Sequence, residues 1–91
     1  MKRFVVNLPM LNEEKSKEYR PHHLEYLEKM MEEGKIFAKG RFTDGTGGLI
    51  IYLAESLEQA TSYAKNDPYV LYNARNYDIH EWEIVGDIKL K

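Results

Sequence analysis

The sequence contains no cysteine. That excludes disulfides and thiolate metal ligands, and it gives no support for an oxidising, extracellular address. No apolar run approaches the length of a membrane span. The first residues, Met1 to Asn7, carry Lys2 and Arg3 but lack a following stretch apolar enough for a signal peptide. No block of one charge sign exists either: 13 Lys and Arg interleave with 15 Asp and Glu, for a formal net charge of −2. A nucleic-acid binder needs a clustered positive footprint, so neither nucleic acid nor membrane is an expected partner. The turn Gly45-Thr46-Gly47-Gly48 lacks the glycine order and the Lys-Ser/Thr ending of nucleotide loops. It reads as a loop joining two antiparallel strands. His22 and His23 diverge on a helix and His80 is remote, so no metal-ligand spacing is present. No cofactor is expected, and the working expectation is a cytoplasmic protein.

What remains is one domain spanning residues 1–91. A domain of this size buries a modest share of its surface, and oligomerisation is one common remedy. Seven tyrosines, three phenylalanines and one tryptophan supply amphipathic aromatics, which suit clefts and interfaces as well as cores.

The order of elements reads strand, helix, strand, strand, helix, strand. In Lys2 to Leu8, Phe4, Val6 and Leu8 alternate on one face, and Pro9 ends the strand. Asn12 to Glu18 is a polar stretch with room for a helical turn of its own. The first main helix is expected from about Arg20 to Glu33, with Pro21 in its first turn. Leu24, Leu27, Met30 and Met31 supply its apolar stripe, and Gly34 follows as a residue able to take positive φ. Ile36 to Phe42 is the second strand and Thr43 to Gly48 the turn after it. Leu49 to Leu53 is the third strand, apolar on both faces. Ser56 and Gln59 form a capping box for a second helix to about Lys65, whose buried stripe is Leu57, Ala60 and Ala64. Pro68 stops it, and a short helical turn is expected over Tyr69 to Tyr72. The last strand lies within Tyr77 to Ile84, and its change of phase suggests a bulge near His80 and Glu81.

This βαββαβ order defines a ferredoxin-like α+β fold: a four-stranded antiparallel sheet with both helices on one face. A doubly apolar third strand in so small a chain predicts that the other face packs on a second copy as a homodimer.

Two residues stand out for chemistry. His23 shares the face of Leu27 and Met30, whereas His22 falls on a more polar flank. Histidine is the natural proton-transfer residue near neutral pH; the plainer reading is a space-filling histidine bonded to a backbone carbonyl. Asp67, before Pro68 and Tyr69, reads first as an N-cap. It also reads as a carboxylate that orients a histidine, and one oxygen can serve each role.

The combination of Arg20-x-x-His23-Leu24, Gly34, Gly40, Gly47-Gly48, the helix start at Ser56 to Ala60, Asp67-Pro68-Tyr69 and Trp82 resembles the YciI-related family of small α+β proteins. The resemblance covers almost the whole chain. It implies a dimeric α+β barrel, similar to muconolactone isomerase-like proteins, with a cleft that holds His23 and Asp67. Some members of the family act as dehydrochlorinases on chlorinated hydroxyquinones. The expectation is a small-molecule enzyme of isomerase, lyase or hydrolase type with a His23/Asp67 acid–base pair. Arg20, Tyr26, Arg41 and Tyr69 are the expected ligand contacts. The alternative is a non-catalytic dimeric module that binds a small ligand or serves another enzyme. Two departures from the family pattern matter. Gly40-Arg41 stands where Gly-Pro is common, and Arg41 either reaches the cleft and favours an anion or points to solvent. Asn73 stands where glycine is common, and asparagine tolerates left-handed φ.

Overall fold

The computed structural model describes residues 1–86; the remainder of the expected domain lies outside them. Strand β1 (Lys2–Pro9), helix α1 (Glu13–Glu32), strands β2 (Ile36–Arg41) and β3 (Gly47–Ala54), helices α2 (Leu57–Asn66) and α3 (Pro68–Leu71), and strand β4 (Asp78–Glu81) follow in that order. The strands form one antiparallel sheet in the order β2-β3-β1-β4. This is the ferredoxin-like α+β arrangement. No helix among the described residues is long and apolar enough to cross a membrane.

The sheet's inner face explains its pairing. Phe4 lies opposite Tyr52, and Val6 lies between Ile50 and Ile79. Phe4, Val6, Leu8, Ile50, Tyr52 and Ala54 are all buried, each large apolar side chain contributing about 1.5–3 kcal/mol. The outer-face residues Val5, Leu49, Ile51 and Leu53 are only half-buried, since no described element covers them.

Helix α1 differs most from expectation. It is one helix of 20 residues, and Pro21 sits inside it. Asn12 is the true N-cap: its side chain accepts a 2.9 Å hydrogen bond from the Lys15 N–H. The polar stretch before Arg20 is therefore its first two turns. Its buried face runs Ser16, His23, Leu27 and Met30; Leu24 and Met31, expected in the stripe, are 43% and 47% exposed because they sit on its shoulders.

Smaller corrections follow the same logic. Leu57 is 53% exposed and points away from the Ala60 and Ala64 face that packs on the sheet. Ser56 accepts from the Gln59 N–H as expected, but the Gln59 side chain returns to the N–H of Glu55, one residue earlier than in a capping box. Strand β3 begins at Gly47, so the glycines belong to the ladder. No bulge interrupts β4, whose register runs unbroken from Asp78 to Glu81. The phase change falls after the strand ends, and the sheet's irregularity lies in β2, between Ile36 and Ala38. That bulge has a consequence for the site: it puts Lys39 opposite Ile50 and Arg41 opposite Gly48, on the helix-bearing face. Gly34 and Asn73 both adopt left-handed φ, at 74° and 60°.

Candidate functional site

Asp67 closes α2 and caps α3, which makes its position a product of local sequence. Pro68 forces the preceding residue into extended backbone, and Asp67 accordingly has φ −63° and ψ 126°. Its Oδ1 accepts a 3.0 Å hydrogen bond from the Tyr69 N–H. The same carboxylate receives His23 from α1: Nδ1 lies 2.7 Å from Oδ1 and 3.0 Å from Oδ2. His23 is 8% exposed and Asp67 fully buried. The cap and the histidine contact thus coexist on one side chain.

This geometry fixes a tautomer. An ionised carboxylate has only lone pairs to offer, so Nδ1 carries the proton and donates it. In the neutral ring Nε2 is then left with its lone pair. The imidazole is also held from the side, stacked on Tyr69 with centroids 3.8 Å apart and planes 13° apart. The Arg75 guanidinium lies 4.6 Å from the centre of the same tyrosine ring.

His23 and Tyr69 line a cavity of about 220 Å³ between α1 and the sheet. Leu8, Gly48 and Ile50 form its floor, and Arg20, Leu24 and Leu27 its roof. Lys39 and Arg41 stand on the β2 side, and Arg75 enters from the segment before β4. Of the expected contacts, Arg20, Arg41 and Tyr69 line this cavity. Tyr26 does not: its hydroxyl donates to the Tyr63 carbonyl at 2.8 Å and ties α1 to α2. Burial, helped by the charge of Asp67, pushes the Tyr26 hydroxyl pKa up to about 12. The same two causes raise Tyr52, whose buried hydroxyl has no hydrogen-bond partner among the described residues.

Sequence reasoning missed Lys39 and Arg75. Lys39 carried a signal, its alternation with Arg41 along one strand. Arg75 carried none, because it reaches the cavity from an irregular segment. It is anchored there by donating to Ser16 Oγ at 2.9 Å and more weakly to the Leu8 carbonyl at 3.4 Å.

A ferredoxin-like chain with a buried His–Asp pair opening on a small cavity is the class defined by this fold and site. Within that class the chain belongs to the YCII-related domain family, whose sequence pattern matches residues 3–83. It is 32% identical over 77 residues to YjpA, an uncharacterized protein of Bacillus subtilis strain 168, across 85% of this chain and 91% of that one. Its fold is also similar to that of a 5-chloro-2-hydroxyhydroquinone dehydrochlorinase, TftG, from Burkholderia phenoliruptrix AC1100, solved in complex with 2,5-dihydroxybenzoquinone. The TM-score is 0.76, over 89% of this chain and 93% of that one, at 22% identity.

Proposed function

We propose that this protein is a small-molecule enzyme in which His23 Nε2 transfers a proton and Asp67 holds the ring for it. The observation that carries the reading is the 2.7 Å contact between His23 Nδ1 and the buried Asp67 carboxylate, with His23 lining a cavity. The carboxylate stabilises the imidazolium formed when Nε2 takes a proton, and the Tyr69 stack keeps Nε2 aimed. General acid–base catalysis of this kind contributes about 10²–10⁴-fold.

The residues around the cavity favour isomerisation or elimination over acyl transfer. Its lining has no serine or threonine to act as a covalent nucleophile beside His23. A base alone serves best where it takes a proton from a carbon acid and either returns it to another atom or keeps it while the freed electron pair expels a leaving group. The activity of TftG, a dehydrochlorination, is a reaction of this kind, which supports extending it to this chain at the level of reaction type.

The test is proton exchange. Wild-type protein is incubated in heavy water with a panel of small cyclic carbon acids, hydroxyquinones and lactones, and deuterium incorporation is followed by NMR. Enzyme-dependent exchange should appear with some member of the panel and vanish in His23→Gln. Exchange that survives in His23→Gln, or its absence across the panel, counts against the reading.

The reading includes a homodimer. The half-buried row of Val5, Leu49, Ile51 and Leu53 on the open sheet face supports it. Light scattering should give twice the chain mass at micromolar concentration; a monomer would remove this part.

A further inference from the structure

Four cations converge on the cavity: Arg20, Lys39, Arg41 and Arg75. Among the described residues, no aspartate or glutamate lines it. None of the four makes an ion pair within 4.0 Å among the described residues; the pairs there are His23 with Asp67 and Lys35 with Glu33. A chain of net charge −2 has therefore gathered four positive charges at one recess. A second recess of about 190 Å³ shares Arg20, Arg41, Tyr69 and Arg75 with the first, and adds Lys17 against its one acidic residue, Glu13. The arginines stand where the two meet.

Like charges around a partly apolar recess repel one another, and low-dielectric walls strengthen their field. Asp67, the carboxylate behind His23, is already engaged by His23 and by the Tyr69 N–H. An incoming anion relieves the repulsion, and arginine forks match two coplanar oxygens well. The floor of Leu8, Gly48 and Ile50, with Leu24 and Leu27 above, asks for an apolar body. Size bounds that body, since a cavity of about 150 Å³ already accepts benzene. The space of about 220 Å³ here suits one substituted ring and not a nucleotide coenzyme.

We infer that the cavity selects a small one-ring organic anion whose charge is shared over two oxygens, and that Lys39 and Arg41 set this preference. The inference deepens the acid–base reading and rests on it for the identity of the site. Anchoring the oxyanion at the β2 side leaves the ring on the apolar floor, facing His23.

Benzoate and its neutral isostere benzamide are the probes, titrated against the full chain by NMR. Benzoate should bind about tenfold or more tightly than benzamide, as expected for a charge-assisted contact. The shifts should centre on β2, Tyr69 and Arg75, and the difference should shrink as salt rises. In the double variant Lys39→Gln/Arg41→Gln the ratio should fall towards one. Both residues are exposed on an edge strand, so the variant should keep its melting temperature. Arg41→Lys, which keeps the charge, should retain most of the preference. Equal binding of the two probes, a preference that survives in the double variant, or no benzoate binding at millimolar concentration would overturn the inference. The two readings fail separately. His23→Gln abolishes proton exchange on the acid–base reading but leaves all four cations, so its benzoate preference should persist.

Discussion

The ring of His23 lies parallel to that of Tyr69, 3.8 Å away, while the Tyr69 N–H shares an acceptor oxygen with His23 Nδ1. One residue of α3 thus supports the imidazole twice, through its ring and through the carboxylate its backbone helps to fix. Tyr69→Phe should keep the stack and the turnover of any exchanged substrate within a few fold. Tyr69→Ala removes a side chain that is only 4% exposed. It should cost about 3–5 kcal/mol in urea unfolding, and Tyr69→Leu should lower the maximal rate without unfolding the chain. Equal rates for Tyr69→Phe and Tyr69→Leu would show that the stack does not position the base.

Tyr26 and Tyr52 make the folded state sensitive to alkali. Tyr26 ionises at about 12 when folded against 10.0 for its ordinary value, and Tyr52 is shifted the same way. An acid whose folded pKa is raised keeps its full contribution below the unfolded pKa and loses it as pH climbs towards the folded one. Stability should therefore decline from about pH 10 upwards. Tyr52→Phe should flatten that decline. At neutral pH it should stabilise the fold by about 1 kcal/mol, since it deletes a buried hydroxyl without a partner. Destabilisation of Tyr52→Phe at neutral pH would mean that the hydroxyl is satisfied, for instance by a bound water.

Gly47 and Gly40 occupy neighbouring strands but answer to different constraints. A Cβ on Gly47 would stand 2.7 Å from the Leu8 carbonyl oxygen, a backbone atom that cannot swing away, whereas one on Gly40 meets nothing within 4 Å. Gly47→Ala should lower stability by about 1–3 kcal/mol and Gly40→Ala by much less. Thermal melts of the two variants decide it, and equal losses would contradict the close approach of Gly47 to the Leu8 carbonyl.

The parts of the site legible in the sequence were those set by short-range rules. Pro68 dictates the backbone of Asp67, Ser56 announces α2, and the phase of Leu27 and Met30 turns His23 inward and His22 outward. What escaped depended on distant partners. Leu24 and Met31 look as apolar as Leu27, and only packing of α1 on the sheet decides which are covered. Pro21 imitates a helix start, while the actual start rests on the Asn12 cap. A bulge at Phe37 set the face of Lys39 and Arg41, and such a slip leaves no mark when each residue is read alone. Tyr26 has the right phase to approach the cavity, yet the Tyr63 carbonyl claims its hydroxyl.

Asp67→Asn separates the two duties of the carboxylate. Asparagine is itself a good N-cap, so α3 and the chain's stability should suffer little from the lost cap. It no longer requires a proton on Nδ1, because its amide can present a donor or an acceptor. Proton exchange should fall by about 10²-fold or more with the fold intact by circular dichroism. Undiminished exchange would leave Asp67 as a cap alone.

The most direct measurement needs no substrate. The nitrogen-15 shifts of the His23 ring, recorded at a pH where the imidazole is neutral, report which nitrogen bears the proton. The pairing with Asp67 predicts a protonated Nδ1 and a bare Nε2 in the wild type, and a loss of that fixed tautomer in Asp67→Asn. A wild-type ring protonated at Nε2, or an even mixture of the two tautomers, would contradict the His23–Asp67 dyad.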